Sequence, residues 1–207
     1  MVALPSRSMK ARAAVVIGVS SLPGIGHSVA KRFVQDEGMK VGIVGRRADR
    51  LERAKADIER EAGAGAACAY RVCDAGRREE LHEALSSMMK GELAGCELSC
   101  LVFNASARPF PLASVMDLDT DRLEGDHRTS AAGFVAAAQW AVPQMRANDV
   151  GPAGDDATRG TIILTGATAS LRGSAKFGSF CASKAAARSL CMSLAREVRE
   201  QTRSLAR

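Results

Sequence analysis

Aromatic side chains are scarce in this chain of 207 residues: they make up 4% of it, with a single tryptophan and a single tyrosine. A core so poor in rings has to be built from Ala, Val, Leu and Ile, which suits helices lying close on a sheet. Paired-cysteine motifs are missing too. The six cysteines (Cys68, Cys73, Cys96, Cys100, Cys181 and Cys191) form no Cys-x-x-Cys pair, and Cys96/Cys100 has no second ligand pair to complete a zinc site. They read as reduced thiols of a cytoplasmic protein. No long apolar segment follows the basic stretch Met1–Arg12, which argues against a secretory leader. No acid occurs before Asp36, as in a transit peptide, but the first strand pattern begins almost at once. Thr129–Met145 carries no charge, yet it holds Gln139 and Gln144 and falls short of a membrane span, so a buried or interface helix is expected there. The net charge is +6. Basic residues nevertheless sit beside acids, as in Arg46-Arg47-Ala48-Asp49-Arg50, and no aromatics interleave with them, so neither nucleic acid nor membrane is an expected partner.

What is present is 46% apolar and 25% charged, a globular composition, and the length suits a single domain over 1–207. Residues 1–12 read as an N-terminal extension. Short apolar runs alternate with helical patterns. Strands are predicted at Ala13–Val19, Lys40–Gly45, Ala66–Cys73, Leu98–Asn104 and Thr161–Thr165. Between and after them, helices are predicted at Gly24–Glu37, Ala48–Ala62, Arg77–Lys90, Leu118–Ala147 and Ser174–Glu200. Continuous rather than alternating hydrophobicity marks strands covered on both faces, and strand–helix alternation marks parallel βαβ units. The expected fold is therefore α/β, a doubly wound parallel sheet of Rossmann type with strand order 3-2-1-4-5. The Gly-, Pro- and Asp-rich stretch 148–160 is expected to be an exposed loop.

The first strand runs into Gly18-Val19-Ser20-Ser21-Leu22-Pro23-Gly24-Ile25-Gly26, and a helix follows. Glycines there let the backbone turn sharply and approach a pyrophosphate, and the helix start offers free N–H groups to it. Ser20 and Ser21 add hydroxyl donors. The alternative is an ordinary tight turn. At the end of the second strand, where a carboxylate would hold the ribose hydroxyls of NAD, the sequence reads Gly45-Arg46-Arg47. Two guanidiniums suit a ribose 2′-phosphate and favour NADP(H) over NAD(H), the alternative being solvated arginines at a helix start.

This loop resembles that of the short-chain dehydrogenase/reductase family, with five residues rather than three between Gly18 and Gly24, a spacing similar to that of the divergent enoyl-acyl-carrier-protein reductases. Two further segments carry the resemblance. Cys73-Asp74-Ala75 ends strand three, where family members carry an Asp against the adenine. Asn104-Ala105-Ser106 ends strand four and is similar to the family's Asn-Ala-Gly segment beside the cofactor. The resemblance implies hydride transfer between a nicotinamide and a small carbonyl, alcohol or activated double bond. It implies a catalytic Tyr, a Lys four residues later, a Ser thirteen residues before the Tyr, and an Asn on the long helix. Lys184 is present, on the same helix face as position 180. Phe180 stands at the Tyr position, Ala167 at the Ser position and Thr129 at the Asn position. A tyrosine search by the wider enoyl-reductase spacing reaches Phe177 instead.

Thr165, Thr168 and Ser170 are nearby hydroxyls, and His127 is a candidate substitute acid whose plainer reading is a surface histidine. His27 and His82 read as helix-surface residues, and Tyr70 lies on strand three, away from the site. The sequence thus points to an impaired NADP(H)-dependent oxidoreductase, or to a non-catalytic NADP(H)-binding protein. No apolar strand follows the Lys184 helix. The resemblance therefore implies a truncated member with an uncovered edge at strand five, forming a homo-oligomer through the long helix and the last helix.

Overall fold

The computed structural model describes residues 10–20, 22–63, 67–108, 110–148 and 159–205, with 200–205 described by backbone alone. Its strands are β1 (Arg12–Ile17), β2 (Lys40–Gly45), β3 (Cys68–Val72), β4 (Glu97–Phe103) and β5 (Thr161–Leu164). They form one parallel sheet in the order β3-β2-β1-β4-β5, the doubly wound order expected. The helices are α1 (Ile25–Gln35), α2 (Ala48–Ala62), α3 (Arg78–Lys90), α4 (Thr120–His127), α5 (Gly133–Arg146) and α6 (Gly178–Leu205).

The unbroken apolar run of β1 is explained by burial on both faces. Ala13, Val15 and Ile17 point into one core with Leu81, Leu85 and Met88 of α3 and with Phe134, Trp140 and Met145 of α5. Ala14 and Val16 point into the other, with Ala30 of α1 and Leu51, Ala54 and Ile58 of α2. Each fully buried Leu or Ile contributes roughly 1.5–3 kcal/mol relative to an exposed one, so Ala-rich helices are offset by a dense aliphatic sheet. The few rings are used for fixing rather than bulk. Phe103 and Phe134 meet edge to face with centroids 5.9 Å apart, and Trp140 Nε1 donates to Ser86 Oγ at 2.9 Å, tying α5 to α3.

Several expectations are corrected. The long helix expected at Leu118–Ala147 is two helices joined by a π turn at Arg128–Ala132. His27 is not on the surface: it is buried between α1 and α2, its Nε2 2.9 Å from Asp57 Oδ2. His82 is half-buried, with Nε2 2.8 Å from the Ala136 carbonyl. Of the loop expected at 148–160, residues 149–158 lie outside the described residues, but its first residue is not exposed. Asn148 is buried, and its Nδ2 donates to Leu98 O at 2.8 Å and to Arg159 O at 2.7 Å. β5 is the edge strand beyond β4, and Ile163 on it is 44% exposed. Among the described residues, no helix is long and apolar enough to cross a membrane, and all six cysteines are free.

Candidate functional site

Parallel strands leave their carboxyl ends on one side of the sheet, and the loops from β1, β2, β3 and β4 converge there around a cleft of about 590 Å³. The chain leaves β1 at Gly18, whose φ of +102° is in the region glycine favours. The amides of Gly18 and Val19 both donate to Val44 O, at 2.8 and 3.0 Å. Asn104 then closes the loop from the other side, its Nδ2 donating to Gly18 O at 2.8 Å. A Cβ on Gly18 would lie 2.3 Å from the Ala105 nitrogen, so the two loops touch backbone to backbone. Gly18→Ala combines this clash with left-handed strain and is expected to cost about 3 kcal/mol or more. A urea midpoint unchanged in that variant would contradict the account.

Most of the residues singled out in the sequence come together here. Gly18, Ser20, Arg46, Arg47, Asp74, Ala75, Asn104, Ala105 and Ser106 all line the cleft. Gly24, Ile25 and Gly26 do not: they form the first turn of α1, with Gly26 pressed against the Gly18 carbonyl and Asn104. Ser21 lies outside the described residues. Asp74 has one oxygen engaged, since Oδ1 accepts from Gly76 N at 2.9 Å. Ser106 Oγ is buried in the cleft wall with no hydrogen-bond partner, a donor and acceptor available to a ligand.

The arginines divide the work. Arg47 donates to the Ser20 carbonyl at 2.8 Å, and so does Arg50, a residue that sequence reasoning passed over. Arg46 is exposed and makes no ion pair among the described residues. Arg108 comes from the loop after β4 to join them in the cleft wall. Desolvation, ahead of repulsion from Arg50 and Arg108, pushes the Arg47 guanidinium below its ordinary pKa. Four guanidiniums so close favour an anion among them.

Lys184 stands apart from this cleft. It lines a neighbouring hollow of about 450 Å³ with Thr165, Ala167 and Ser170, at the carboxyl end of β5. The lysine is buried and its Nζ donates to Thr165 O at 2.9 Å. Ala167 and Lys184 thus line one hollow. Phe180 is half-buried on the first turn of α6. Ser170 Oγ is committed to the Ala167 carbonyl at 2.6 Å. His127 is exposed at the end of α4. Tyr70 lies on β3, the strand at the opposite edge from β5, with its hydroxyl donating to Glu52 at 2.9 Å.

A glycine loop that turns off the first strand of a doubly wound sheet, facing an arginine-lined cleft at the strand ends, defines a dinucleotide-binding Rossmann protein. The model of the short chain dehydrogenases matches residues 12–203, and the chain belongs to that family of NAD(P)-dependent oxidoreductases. It is 31% identical over 191 residues to an oxidoreductase of Sarocladium schorii, covering 92% of this chain and 67% of the relative. It is 26% identical to an uncharacterized oxidoreductase of Mycobacterium tuberculosis, and spans about half of that protein (51%). Among solved structures, a short-chain dehydrogenase of Rhodopseudomonas palustris superposes with a TM-score of 0.74 at 26% identity, covering 91% of this chain and 78% of the other. An alcohol dehydrogenase of Thermococcus sibiricus, solved with 5-hydroxy-NADP, shares the fold at 21% identity and a TM-score of 0.74, covering 90% and 71%.

Proposed function

We propose that this chain binds NADP(H) and serves as an oxidoreductase whose proton chemistry is impaired. The observation that carries the reading is the arginine group at the end of β2, where Arg46 and Arg47 face the cleft and no carboxylate follows Gly45. The cradle fits such a cofactor. Ser20 would take the pyrophosphate over the turn that Gly18 allows, Arg46 and Arg47 the 2′-phosphate, Asp74 and Ala75 the adenine, and the loop Asn104–Ser106 the ribose. The buried, unpartnered Ser106 Oγ supports a polar ligand at that point. When bound, the nicotinamide supplies hydride transfer to a small carbonyl or activated double bond, or from an alcohol.

This chain's own residues would orient the substrate and manage the proton. Lys184, with Ala167 in the same hollow, would hold the nicotinamide ribose. Phe180 has no ionisable hydroxyl, so protonation of a carbonyl oxygen lacks its usual donor, and loss of a positioned acid removes about 10²–10⁴ in rate. That feature favours a second reading, a non-catalytic NADP(H)-binding subunit. Calorimetry with NADPH and NADH, followed by turnover of NADPH against carbonyl and enoyl panels, tests both. Failure to bind either nucleotide would sink the proposal, and tight binding without turnover on any panel would select the second reading. Six free thiols favour a reducing, cytoplasmic compartment. Leu190 and Met192, 38% and 43% exposed on α6, favour pairing of two copies through that helix.

Lys184 also has a stability signature. Burial pushes its ammonium below the ordinary value of 10.5. Between the folded and unfolded values, the unfolded chain binds the extra proton, so folding stability rises with pH through that window and levels off above 10.5. The native chain should therefore gain Tm relative to Lys184→Met as pH is raised towards 10.5. Parallel Tm profiles for the two proteins would refute the buried-ammonium account.

A further inference from the structure

A second hollow of about 420 Å³ opens off the cleft and runs between the turn after β3 and helix α4. Five arginines line it (Arg46, Arg77, Arg108, Arg122 and Arg128) against two carboxylates, Asp74 and Asp126. Each acid has one oxygen engaged. Asp74 Oδ1 holds the Gly76 amide. Asp126 Oδ2 accepts from Ser179 Oγ at 2.6 Å and lies 3.9 Å from Arg122 Nε. Arg77 pairs with Glu80 at 2.9 Å, and Arg122 donates to the Pro111 carbonyl. Arg46, Arg108 and Arg128 make no ion pair among the described residues. Five guanidiniums against two carboxylates leave the concavity with an excess of positive charge, which an anion sitting among Arg46, Arg108 and Arg128 would offset.

Two placements separate this hollow from the seat expected for the cofactor's own phosphates. Arg77 and Arg128 line the second hollow but not the nucleotide cleft. They come from the start of α3 and from the π turn, two elements that contribute no arginine to the nucleotide cleft. Ser106, whose buried hydroxyl has no partner, lines both spaces and so stands at their junction.

We propose that the second hollow binds a phosphate-bearing anion at the same time as the dinucleotide, with Arg108 and Arg128 as its principal donors. The inference rests on the cleft being the cofactor site, and it adds a second ligand beside it. Guanidinium forks match phosphate oxygens in pairs, and the polar walls favour a compact, multiply charged group over an apolar one. The shared arginines, Arg46 and Arg108, make the two ligands sensitive to one another.

The test is titration of pyrophosphate into the chain saturated with NADPH, followed by calorimetry. Binding to the NADPH-loaded protein is expected, and Arg128→Ala should weaken it about tenfold or more, as loss of a charged hydrogen bond does, with Arg128→Lys recovering part. NADPH affinity should stay within about twofold in both variants, because Arg128 is outside the nucleotide cleft. Pyrophosphate that binds only the free protein and is displaced by NADPH would overturn the inference while leaving the cofactor reading intact. So would binding indifferent to Arg128→Ala, or no binding at all. If NADPH itself fails to bind, the cofactor reading falls, and pyrophosphate binding to the free chain that Arg128→Ala abolishes would still uphold the anion site.

Discussion

Carbonyl reduction by the native chain should be near background, and the double change Phe180→Tyr with Ala167→Ser should raise it by about 10²–10⁴-fold, the contribution of a positioned general acid. The scaffold for that gain is in place. Residue 180 and Lys184 are one turn apart on α6, and Ala167 faces the same hollow as Lys184. A tyrosine at 180 would stand one helical turn from an ammonium that burial already holds below its ordinary pKa, and the added serine is expected to hold the substrate oxygen. The gain should vanish when Lys184→Ala is added, and turnover of NADPH in single-substrate assays reads all three proteins. Fast reduction by the native chain, unaffected by Lys184→Ala, would place the active site elsewhere.

The arginines at β2 should separate in cofactor binding. On the proposed NADP(H) reading, Arg46→Ala is expected to cost NADPH roughly 1.5–3 kcal/mol, about 10- to 100-fold in affinity, and to leave NADH unchanged, since it would remove only a charged hydrogen bond to the 2′-phosphate. Arg47→Ala should weaken both nucleotides, because Arg47 also grips the Ser20 carbonyl and so shapes the phosphate loop. Arg50 holds the same carbonyl and will blunt that second effect. Calorimetric titration of both nucleotides into each variant distinguishes the roles. Equal affinity of the unaltered chain for NADPH and NADH would overturn the assignment.

How much of this was legible in the sequence depended on whether the signal was local. β2 and α2 match their expected bounds residue for residue, because Gly45 ends an unbroken apolar run and a helical period begins at Ala48. β1 ends two residues short of expectation, because Gly18 already turns out of the sheet. The π turn at Arg128–Ala132 was invisible to helical counting: the uncharged, alanine-rich stretch Thr129–Met145 shows no sharp polar face against which a slip of phase would register. Its effect on the site is direct. Thr129 lines the cleft, while the next residue, Ser130, turns inward and accepts from Ala107 N at 3.1 Å. Arg108 and the orphaned Ser106 hydroxyl come from the loop after β4 and Arg128 from the π turn, and no sequence spacing records that the two segments meet. His27 and Asn148 were misplaced for a related reason: a polar residue with a tertiary partner looks, in sequence, like one that faces water.

The knot of backbone at the head of the cleft has an evolutionary corollary. Gly18 is tied to β2 through Val44 and to β4 through Asn104, and a Cβ on Gly45 would lie 2.4 Å from the Val19 carbonyl. A mutation that spoils the nucleotide cradle therefore spoils the packing of three strands. Phe180 and Ala167 carry no such duty, since a ring or a methyl fills those places as well as a phenol or a hydroxymethyl. Purifying selection for a foldable chain alone would keep the cradle intact across a lineage while the proton-handling positions drifted, so inheritance of the two need not be coupled.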